Sequence, residues 1–281
     1  MTVEQAFKQL TNKLISIYSI SEAKNIAELA IEHITGYYKT QRLLFKNEIL
    51  NDKQTKDFDR ISIELLNHKP IQYLTNDAWF CNKKYYVNEH VLIPRSETEE
   101  LIYLLKEDEH SFNNIIDIGT GSGCIAIEVK NKFKNSTVVA IDKSLDSLEI
   151  AKKNALTFNT KINFKHLDFL EENNWADLGN FDLIISNPPY VLKSEQNTLK
   201  ENVLNFEPHL ALFVPDNDPF LFFRKIALFG KKHLNKNGKI VVEINELFGY
   251  ETKQLFIEFG YLSYIIKDMQ QKDRFIVSNF S

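Results

Sequence analysis

From about residue 113 onward, short runs of Ile and Val alternate with segments of helical periodicity. Within the apolar runs there is little alternation with polar residues, which is typical of strands buried on both faces of a sheet. The predicted strands are 115–118, 138–141, 162–164, 181–186, 240–244 and 274–277, and the predicted helices between them are 124–133, 145–158, 218–234 and 247–259. This order predicts an α/β fold with a doubly wound, mostly parallel sheet that binds its ligand beyond the carboxyl ends of the strands.

Residues 1–70 are predicted to form a small helical bundle. In 21–36 the apolar side chains recur with the 3.6-residue period of a helix, which Ser21 can cap and Gly36 can end in a left-handed conformation. Two further apolar groups indicate two more helices, the last of which stops before Pro70. The bundle has no metal-ligand spacing and no catalytic cluster, so we expect it to bind or position another molecule.

Residues 71–93 have the pattern of a β-hairpin. The pairs Trp79–Phe80 and Tyr85–Tyr86 lie on either side of a polar stretch. We therefore expect three segments along the chain. They are a helical domain (1–70), a hairpin linker (71–93) and a ligand-binding α/β domain (94–281).

Composition excludes several classes of protein. The 281 residues include 34 Lys and Arg against 38 Asp and Glu, and the net charge of −4 argues against a surface coated in basic charge for nucleic acid. The sequence has no apolar run of the roughly 18 residues that a membrane span needs, and no signal peptide pattern. Cys81 and Cys124 are too few and too far apart for a disulfide framework or a thiolate metal site. A reduced, cytoplasmic location is therefore expected.

Glycine is scarce in this chain but clustered at one place. Of its 9 glycines, three lie within five positions at Gly119, Gly121 and Gly123, directly after the first predicted strand of the sheet. Here a strand must turn sharply into a helix while its backbone lies against a ligand, and side chains would block that approach. We therefore predict a ligand-binding loop that also includes Thr120 and Ser122.

Polar groups also follow the next three strands. Asp142 comes 19 residues after Gly123 and can accept hydrogen bonds from both hydroxyls of a ribose. Asp168 and Phe169 supply a polar group and a flat ring suited to an adenine, and Asn187-Pro188-Pro189-Tyr190 follows the fourth strand. Each feature alone is compatible with an ordinary turn or helix cap. Their position at the ends of successive strands favours one nucleoside site.

Two nucleoside cofactors are compatible with the glycine loop and Asp142. A nicotinamide dinucleotide favours the spacing G-x-G-x-x-G, with its pyrophosphate at the helix start. In this chain the third glycine comes one residue early, and Cys124 occupies the sixth position. S-adenosylmethionine has no phosphate and suits the spacing G-x-G-x-G.

The Asn187-Pro188-Pro189-Tyr190 segment resembles the [D/N]-P-P-[Y/F/W] motif of S-adenosylmethionine-dependent methyltransferases that modify planar nitrogens. Over nearly its whole length, the chain resembles the release factor glutamine methyltransferase family. The matching segments are 70–74, 92–99 (against L-I-P-R-P-E-T-E), 206–208 with 211–212, 243–244 and 273–274. There are three departures from the family pattern: Ser96 replaces a proline, Thr75-Asn76 replaces a glycine, and Phe169 stands where some relatives have Trp.

This resemblance implies a Rossmann-like, seven-stranded methyltransferase sheet preceded by the bundle and the hairpin. It implies methylation of the glutamine side-chain amide in the Gly-Gly-Gln motif of peptide chain release factors, which the N-terminal domain would dock. The methyl donor would be S-adenosylmethionine and the product S-adenosylhomocysteine. The implied donor contacts are Gly119, Thr120, Gly121, Ser122, Gly123, Asp142, Asp168, Phe169 and Asn187. The implied substrate contacts are Asn187, Pro188, Pro189, Tyr190, Arg95 and Glu97, although for the last two a structural role in the hinge is equally compatible.

The proposed catalytic residues are Asn187, Pro188 and Tyr190. An amide nitrogen is a poor nucleophile, so we hypothesise that the Asn187 side-chain oxygen and the Pro188 carbonyl accept its two hydrogens and stabilise the positive charge that develops. The prolines would stiffen the turn, and the Tyr190 ring would pack on the substrate amide. No metal, nucleophilic side chain or general base is required. We expect a monomer without stable nucleic-acid or membrane partners.

Two other classes of function stay open at this point. A nucleic-acid methyltransferase acting on the exocyclic amine of adenine or guanine could use the same loop, but the net charge and the lack of a basic base-reading insertion argue against it. A non-catalytic adaptor that kept the fold is disfavoured by the intact motif at 187–190.

Overall fold

The computed structural model describes residues 1–107 and 111–280. The chain divides into two compact units. The first comprises Met1–Asp77 and Lys200–Phe206, and the second comprises Ala78–Leu199 and Glu207–Ser281. The division at Asp77 falls inside the segment 71–93 that we expected to link the domains.

Helices make up most of the first unit and alternate with strands in the second. The helices are α1 (Val3–Leu14), α2 (Ile20–Thr35), α3 (Lys39–Leu44), α4 (Asp52–Leu66), α5 (Ile71–Thr75), α6 (Ser96–Glu107), α7 (Cys124–Lys132), α8 (Leu145–Thr157), α9 (Glu201–Phe206), α10 (Leu221–His233) and α11 (Gly249–Glu258). The strands are β1 (Asp77–Phe80), β2 (Lys83–Tyr86), β3 (Asn114–Ile118), β4 (Thr137–Asp142), β5 (Asn163–His166), β6 (Phe181–Ser186), β7 (Val191–Leu192), β8 (Phe213–Val214), β9 (Leu234–Glu243), β10 (Tyr261–Lys267) and β11 (Asp273–Phe280). Within the described ranges, no helix combines the length and apolar character needed to cross a membrane.

The predicted helical character of the N-terminal region is confirmed. Helix α2 ends at Gly36, whose φ of +76° is the left-handed conformation that we predicted. The predicted start is wrong by two residues, because Ser19 rather than Ser21 caps the helix and accepts a hydrogen bond from the Glu22 N–H. Both serines can act as caps, and the apolar period does not determine which of them does so.

An ionic cluster lies within the core of the first unit. Arg42 is only 5% exposed. Its guanidinium donates to Glu28 Oε1 and to Glu4 Oε2, both at 2.9 Å, and lies 3.9 Å from the centre of the Phe7 ring. The cluster therefore ties α3 to α1 and α2, because a buried guanidinium needs partners for its charge and its N–H groups.

The hairpin that we expected in 71–93 is present as β1 and β2. Its two turn residues, Cys81 and Asn82, have φ values of +48° and +61°, the conformation of a tight two-residue hairpin turn. The Tyr85 hydroxyl donates to Glu128 of α7, and the Tyr86 N–H donates to Asn154 of α8 at 2.8 Å. These bonds attach the hairpin to the helices of the second unit.

The second unit contains the predicted α/β sheet. Its seven strands lie in the order β10-β11-β9-β6-β3-β4-β5, in which neighbours from β9 to β5 run parallel and β11 is antiparallel to both β9 and β10. All six predicted strands and all four predicted helices of this region are present, with ends shifted by up to six residues. Apolar clusters cover both faces of the sheet, as the continuous Ile and Val runs predict.

The seventh strand, β10, is missing from the strands that we predicted from apolar runs. It occupies the edge of the sheet, where Tyr261 and Ser263 are buried while Leu262 and Tyr264 are exposed. An edge strand with one solvent-facing side has no continuous apolar run, which is why the pattern that identifies the central strands does not identify this one.

We expect Arg42→Ala to destabilise the first unit by about 2–3 kcal/mol, because it removes the buried cation shared by Glu4 and Glu28 and leaves Glu4 with only the exposed Lys8 at 3.3 Å. Native-state hydrogen exchange of the backbone amides in α1 and α2 measures this loss. Arg60→Ala is the matched control, since Arg60 is 53% exposed and 3.9 Å from Asp57, and it should change stability by less than about 0.5 kcal/mol. Equal effects of the two substitutions would contradict a structural role for the buried cluster.

Candidate active site

The register of the parallel strands brings four loops to one edge of the sheet. Ile118 at the end of β3 pairs with Ile141 of β4 and with Ser186 of β6, and Asp142 pairs with His166 of β5. The loops that follow these strands line one pocket in the second unit. The predicted site residues that line it are Arg95, Gly119, Thr120, Gly121, Ser122, Asp142, Asp168, Phe169, Asn187, Pro188 and Pro189.

The three glycines of the loop after β3 all have the left-handed backbone that favours glycine, with φ values of +74°, +52° and +80°. Apart from its chain neighbours, a Cβ atom on Gly119 or Gly121 would meet no atom of the described residues within 4 Å, whereas one on Gly123 would lie 3.0 Å from the Ala151 Cβ of α8. The first two glycines therefore leave their backbone bare, and the third allows α7 and α8 to pack closely.

Asp142 helps to hold the glycine loop in place. Its Oδ2 accepts the Gly121 N–H and its Oδ1 accepts the Ser144 N–H, both at 2.9 Å. Burial raises the pKa of Asp142, while these hydrogen bonds oppose the rise. A carboxylate oxygen has two lone pairs, so each oxygen keeps acceptor capacity for a ribose hydroxyl. Asp142 can therefore hold the backbone before α8 and bind a ribose hydroxyl at the same time.

Asp117 lies beneath the same loop and is fully buried. Its Oδ2 accepts a hydrogen bond from the Thr120 hydroxyl at 2.6 Å, but its Oδ1 makes no hydrogen bond of ordinary geometry within the described residues. Burial raises the pKa of Asp117 to about 7, and the neighbouring Asp142 carboxylate adds to the rise. The Thr120 hydroxyl and the Ala126 N–H oppose the rise, and a carboxyl group with so perturbed a pKa is typical of a functional site.

Asp168 and Phe169 follow β5, as predicted. Partial burial disfavours the Asp168 carboxylate, but the Lys143 ammonium at 2.6 Å and the Leu170 N–H outweigh it and lower the pKa. Phe169 is 5% exposed and stacks on Trp175 with ring centres 5.3 Å apart. Its ring therefore contacts the core as well as the pocket, and its adenine contact stays a prediction.

The Asn187-Pro188-Pro189-Tyr190 loop leaves the sheet at the end of β6. The Ser186 hydroxyl anchors it by donating to the Ile118 carbonyl at 2.7 Å. The Asn187 Nδ2 donates to the Thr98 hydroxyl of α6 at 3.0 Å. In the part of the chain that the structure describes, the Asn187 Oδ1 has no hydrogen bond, so it is available to accept one from a ligand.

Tyr190 lies partly buried against the core, and its hydroxyl donates to Glu243 Oε1 at 3.1 Å. Burial and this carboxylate raise the pKa of Tyr190, so the phenol stays protonated. The second oxygen of Glu243 accepts the Thr98 hydroxyl at 2.6 Å. The stacking of Tyr190 on a substrate amide stays a prediction.

Arg95 and Glu97 have different surroundings. The Arg95 guanidinium donates to Glu207 Oε1 at 2.7 Å, and the buried Glu207 also accepts the Ile93 N–H. Burial raises the pKa of Glu207, and Arg95 opposes the rise. Glu97 accepts a hydrogen bond from Ser96 and is absent from the described lining of the pocket. Glu207 therefore holds Arg95 in the lining of the pocket, and substrate contact by Arg95 or Glu97 stays a prediction.

Sequence reasoning missed three residues that support this site: Thr98, which lines the pocket, and Asp117 and Glu243, which are buried and absent from its described lining. Asp117 opens the glycine motif, and its position inside a buried strand signals an unusual carboxyl group. Thr98 and Glu243 lie in segments that resemble the family, but the sequence did not predict a function for either residue. Only the fold shows that they meet, because they lie 145 positions apart in the chain.

Replacement by alanine should lower stability less at Gly119 than at Gly123. Gly119→Ala places a side chain at positive φ in open space, so we expect a loss of about 1–2 kcal/mol. Gly123→Ala adds contact with Ala151, so we expect about 2–4 kcal/mol. Thermal unfolding of both variants beside the wild type measures the difference. A Gly123 variant no less stable than the Gly119 variant would show that α7 and α8 do not need this glycine.

Asp117→Asn should be more stable than the wild type above pH 7 and similar near pH 4. Between its ordinary pKa of 3.8 and its folded value of about 7, Asp117 holds a proton that the unfolded chain has lost, so wild-type stability falls as the pH rises. The difference in the free energy of unfolding between the variant and the wild type reaches at most about 4 kcal/mol. Denaturant unfolding of both proteins across this pH range measures it.

Asp182→Asn is the control of opposite sign. Partial burial disfavours the Asp182 carboxylate, but hydrogen bonds from Asn235 and from the N–H groups of Asn114 and Asn113 lower its pKa. This variant should be less stable than the wild type at pH 7, and the difference should shrink as the pH falls. The same pH trend in both variants would contradict the assignment for Asp117.

Comparison with known proteins agrees with this architecture. Residues 5–75 match the family model for the PrmC N-terminal domain, and residues 96–207 match that for the methyltransferase small domain. A solved methyltransferase from Pyrococcus furiosus aligns over 78% of this chain and 98% of its own, with a TM-score of 0.52 and 18% identity. At that identity the likeness concerns the fold, which is that of a Rossmann-like methyltransferase.

Similarity to curated relatives extends over the whole chain. The sequence is 38% identical over 287 residues to a release factor glutamine methyltransferase of Flavobacterium psychrophilum, with 100% of both chains covered. It is 35% identical over 271 residues to the protein of the same name in Bacteroides thetaiotaomicron, with 96% of this chain and 97% of the relative covered. The chain therefore belongs to the release factor glutamine methyltransferase family.

Proposed function

We propose that this protein transfers a methyl group from S-adenosylmethionine to the side-chain amide nitrogen of the glutamine in the Gly-Gly-Gln motif of peptide chain release factors. The observation that carries the proposal is the Asn187 side chain. Its Nδ2 donates to Thr98, which leaves the Oδ1 as a hydrogen-bond acceptor in the same pocket as the glycine loop. Such an acceptor suits a planar nitrogen that carries two hydrogens.

The pocket is chemically suited to the methyl donor. Gly119 and Gly121 offer bare backbone, and Asp142 keeps acceptor capacity for ribose hydroxyls. Apolar side chains, among them Ile141 and Leu167, line the same pocket. Asp117 lies beneath the loop and helps to hold it through the Thr120 hydroxyl. The donor, when bound, supplies a methyl group on a sulfonium that needs no further activation.

The residues of the loop after β6 are proposed to position the substrate amide. The Asn187 Oδ1 and the Pro188 carbonyl accept its two hydrogens and stabilise the positive charge that grows on nitrogen. The N–C bond forms as the C–S bond breaks with its electron pair on sulfur, and the methylated nitrogen releases one proton to solvent. Two consecutive prolines hold the carbonyl in place, since their φ angles are fixed.

The first unit is proposed to dock the release factor. In support, it exposes large apolar side chains, with Leu44 78% and Ile49 75% exposed. We also propose that the protein acts as a monomer in the cytoplasm, because its proposed substrates are translation factors. Methylation of a nucleic-acid exocyclic amine is the less favoured alternative, since the curated relatives compared above are named for glutamine methylation.

We expect Asn187→Ala to lower kcat for release-factor methylation by about 100-fold or more, because the variant loses a hydrogen bond that strengthens in the transition state. Donor affinity should change by less than about threefold. Transfer of label from methyl-labelled donor measures turnover, and calorimetry with S-adenosylhomocysteine measures binding. Asn163→Ala is the control, because this exposed asparagine lies at the start of β5, away from the site.

The identity of the labelled atom tests the function itself. A bacterial release factor should receive label on the Gly-Gly-Gln glutamine, and a release factor with that glutamine replaced by alanine should receive none. Label on DNA or RNA, with none on the release factor, would overturn the proposal. Failure to bind S-adenosylhomocysteine would instead favour a non-catalytic role.

A further inference from the structure

We propose that Thr98 and Glu243 are positioning residues that determine which end of the Asn187 side-chain amide faces the substrate. This inference rests on the proposed function, in which the Asn187 oxygen accepts a hydrogen from the substrate. The three side chains form one chain of hydrogen bonds. Asn187 Nδ2 donates to the Thr98 hydroxyl at 3.0 Å, and the Thr98 hydroxyl donates to Glu243 Oε2 at 2.6 Å.

The direction in which each of these hydrogen bonds is donated follows from the number of protons available. A threonine hydroxyl has a single proton to donate, and an ionised carboxylate can only accept. Because the Thr98 hydroxyl uses its proton in the hydrogen bond to Glu243, it can only accept a hydrogen bond from Asn187. The group that donates on an asparagine side chain is the NH2. The carboxylate therefore fixes the amide orientation two hydrogen bonds away.

The surroundings of Glu243 favour its acceptor role. Both of its oxygens face hydroxyl donors, Thr98 on one side and Tyr190 at 3.1 Å on the other. Burial raises the pKa of Glu243 above its ordinary value, and these two hydrogen bonds and the positive charge of Arg274 limit the rise without cancelling it. Glu97 is the nearby charge that acts in the opposite direction.

The strand register explains why these groups meet. Ser186 of β6 pairs with Val242 of β9, so that Asn187 and Glu243 are the next residues along two neighbouring parallel strands. Thr98 reaches them from the first turn of α6. Thr98 is 3% exposed and Glu243 is 1% exposed, so water is nearly excluded from their hydrogen bonds.

A purely structural role does not account for the chemistry of this cluster. Burying a carboxylate is costly, and well-packed apolar residues often stabilise a core as well or better. Here the carboxylate holds both ends of the catalytic loop, Tyr190 directly and Asn187 through Thr98. With the opposite polarity, the Asn187 NH2 would face the N–H groups of the substrate amide, and only the Pro188 carbonyl would be left to accept a hydrogen from it.

Three substitutions test the proposal. Thr98→Val keeps the shape and removes the hydroxyl, Glu243→Gln keeps the shape and allows donation to Thr98, and Thr98→Ser restores the hydroxyl. We expect the first two to lower kcat for release-factor methylation by about 10- to 100-fold. KM for the donor should stay within about threefold of wild type, and Thr98→Ser should recover most of the kcat.

Thr252→Val is the matched control for loss of a buried threonine hydroxyl. Thr252 is fully buried in α11, and its hydroxyl donates to the Phe248 carbonyl at 2.7 Å. This control should lose stability and keep its kcat. A Thr98→Val or Glu243→Gln variant with wild-type kcat would overturn the positioning role while leaving the proposed function intact. Absence of release-factor methylation by the wild type would overturn the proposed function instead.

NMR of the Asn187 side-chain amide provides a readout that does not depend on turnover. Its NH2 resonances, assigned by their loss in Asn187→Ala, should show one proton shifted downfield and protected from exchange by the bond to Thr98. Both the downfield shift and the protection from exchange should disappear in Thr98→Val and in Glu243→Gln. An exchanging, solvent-like NH2 in the folded wild type would overturn the proposal even if the variants fail to fold.

Discussion

The register of β3 with its two parallel neighbours determines where the functional groups of this protein lie. Ile118 is paired on one side with Ile141 and on the other with Ser186. The glycine loop therefore emerges between the residue that follows Ile141 and the residue that follows Ser186, which are Asp142 and Asn187. A shift of one residue in either pairing would turn the side chains of that strand to the opposite face, and apolar packing on both faces opposes such a shift.

At this end of the sheet the fold buries three acids, and burial of a carboxyl group costs free energy of desolvation. Asp117, Glu207 and Glu243 are at most 3% exposed, and burial raises the pKa of each. Each acid also positions a part of the site, since Asp117 supports the glycine loop, Glu207 holds Arg95, and Glu243 holds the loop at 187–190. Polar groups retained in a core at a cost in stability are typical of a site where position matters more than stability.

The sequence predicted most of the fold and the outline of the site, and its errors have physical causes. Continuous runs of Ile and Val identified the central strands, because strands buried on both faces must be apolar throughout. The same signal missed β10, which is half exposed at the edge of the sheet. Capping signals identified the end of α2 through Gly36 but not its start, since Ser19 and Ser21 are both suitable caps.

The sequence by itself determined that a glycine loop, an acid after the second strand and an Asn-Pro-Pro-Tyr turn would lie at one edge of a parallel sheet. These features are local, and strand register places them without further information. Only the tertiary structure decided the orientation of the Asn187 amide, the protonation of Asp117 and the pairing of Arg95 with Glu207. Each of these depends on burial and on contacts between residues far apart in the chain, such as Asn187 and Thr98, which are 89 positions apart. The free energy of such a contact depends on which groups packing has excluded from water, and no periodic pattern in the sequence encodes it.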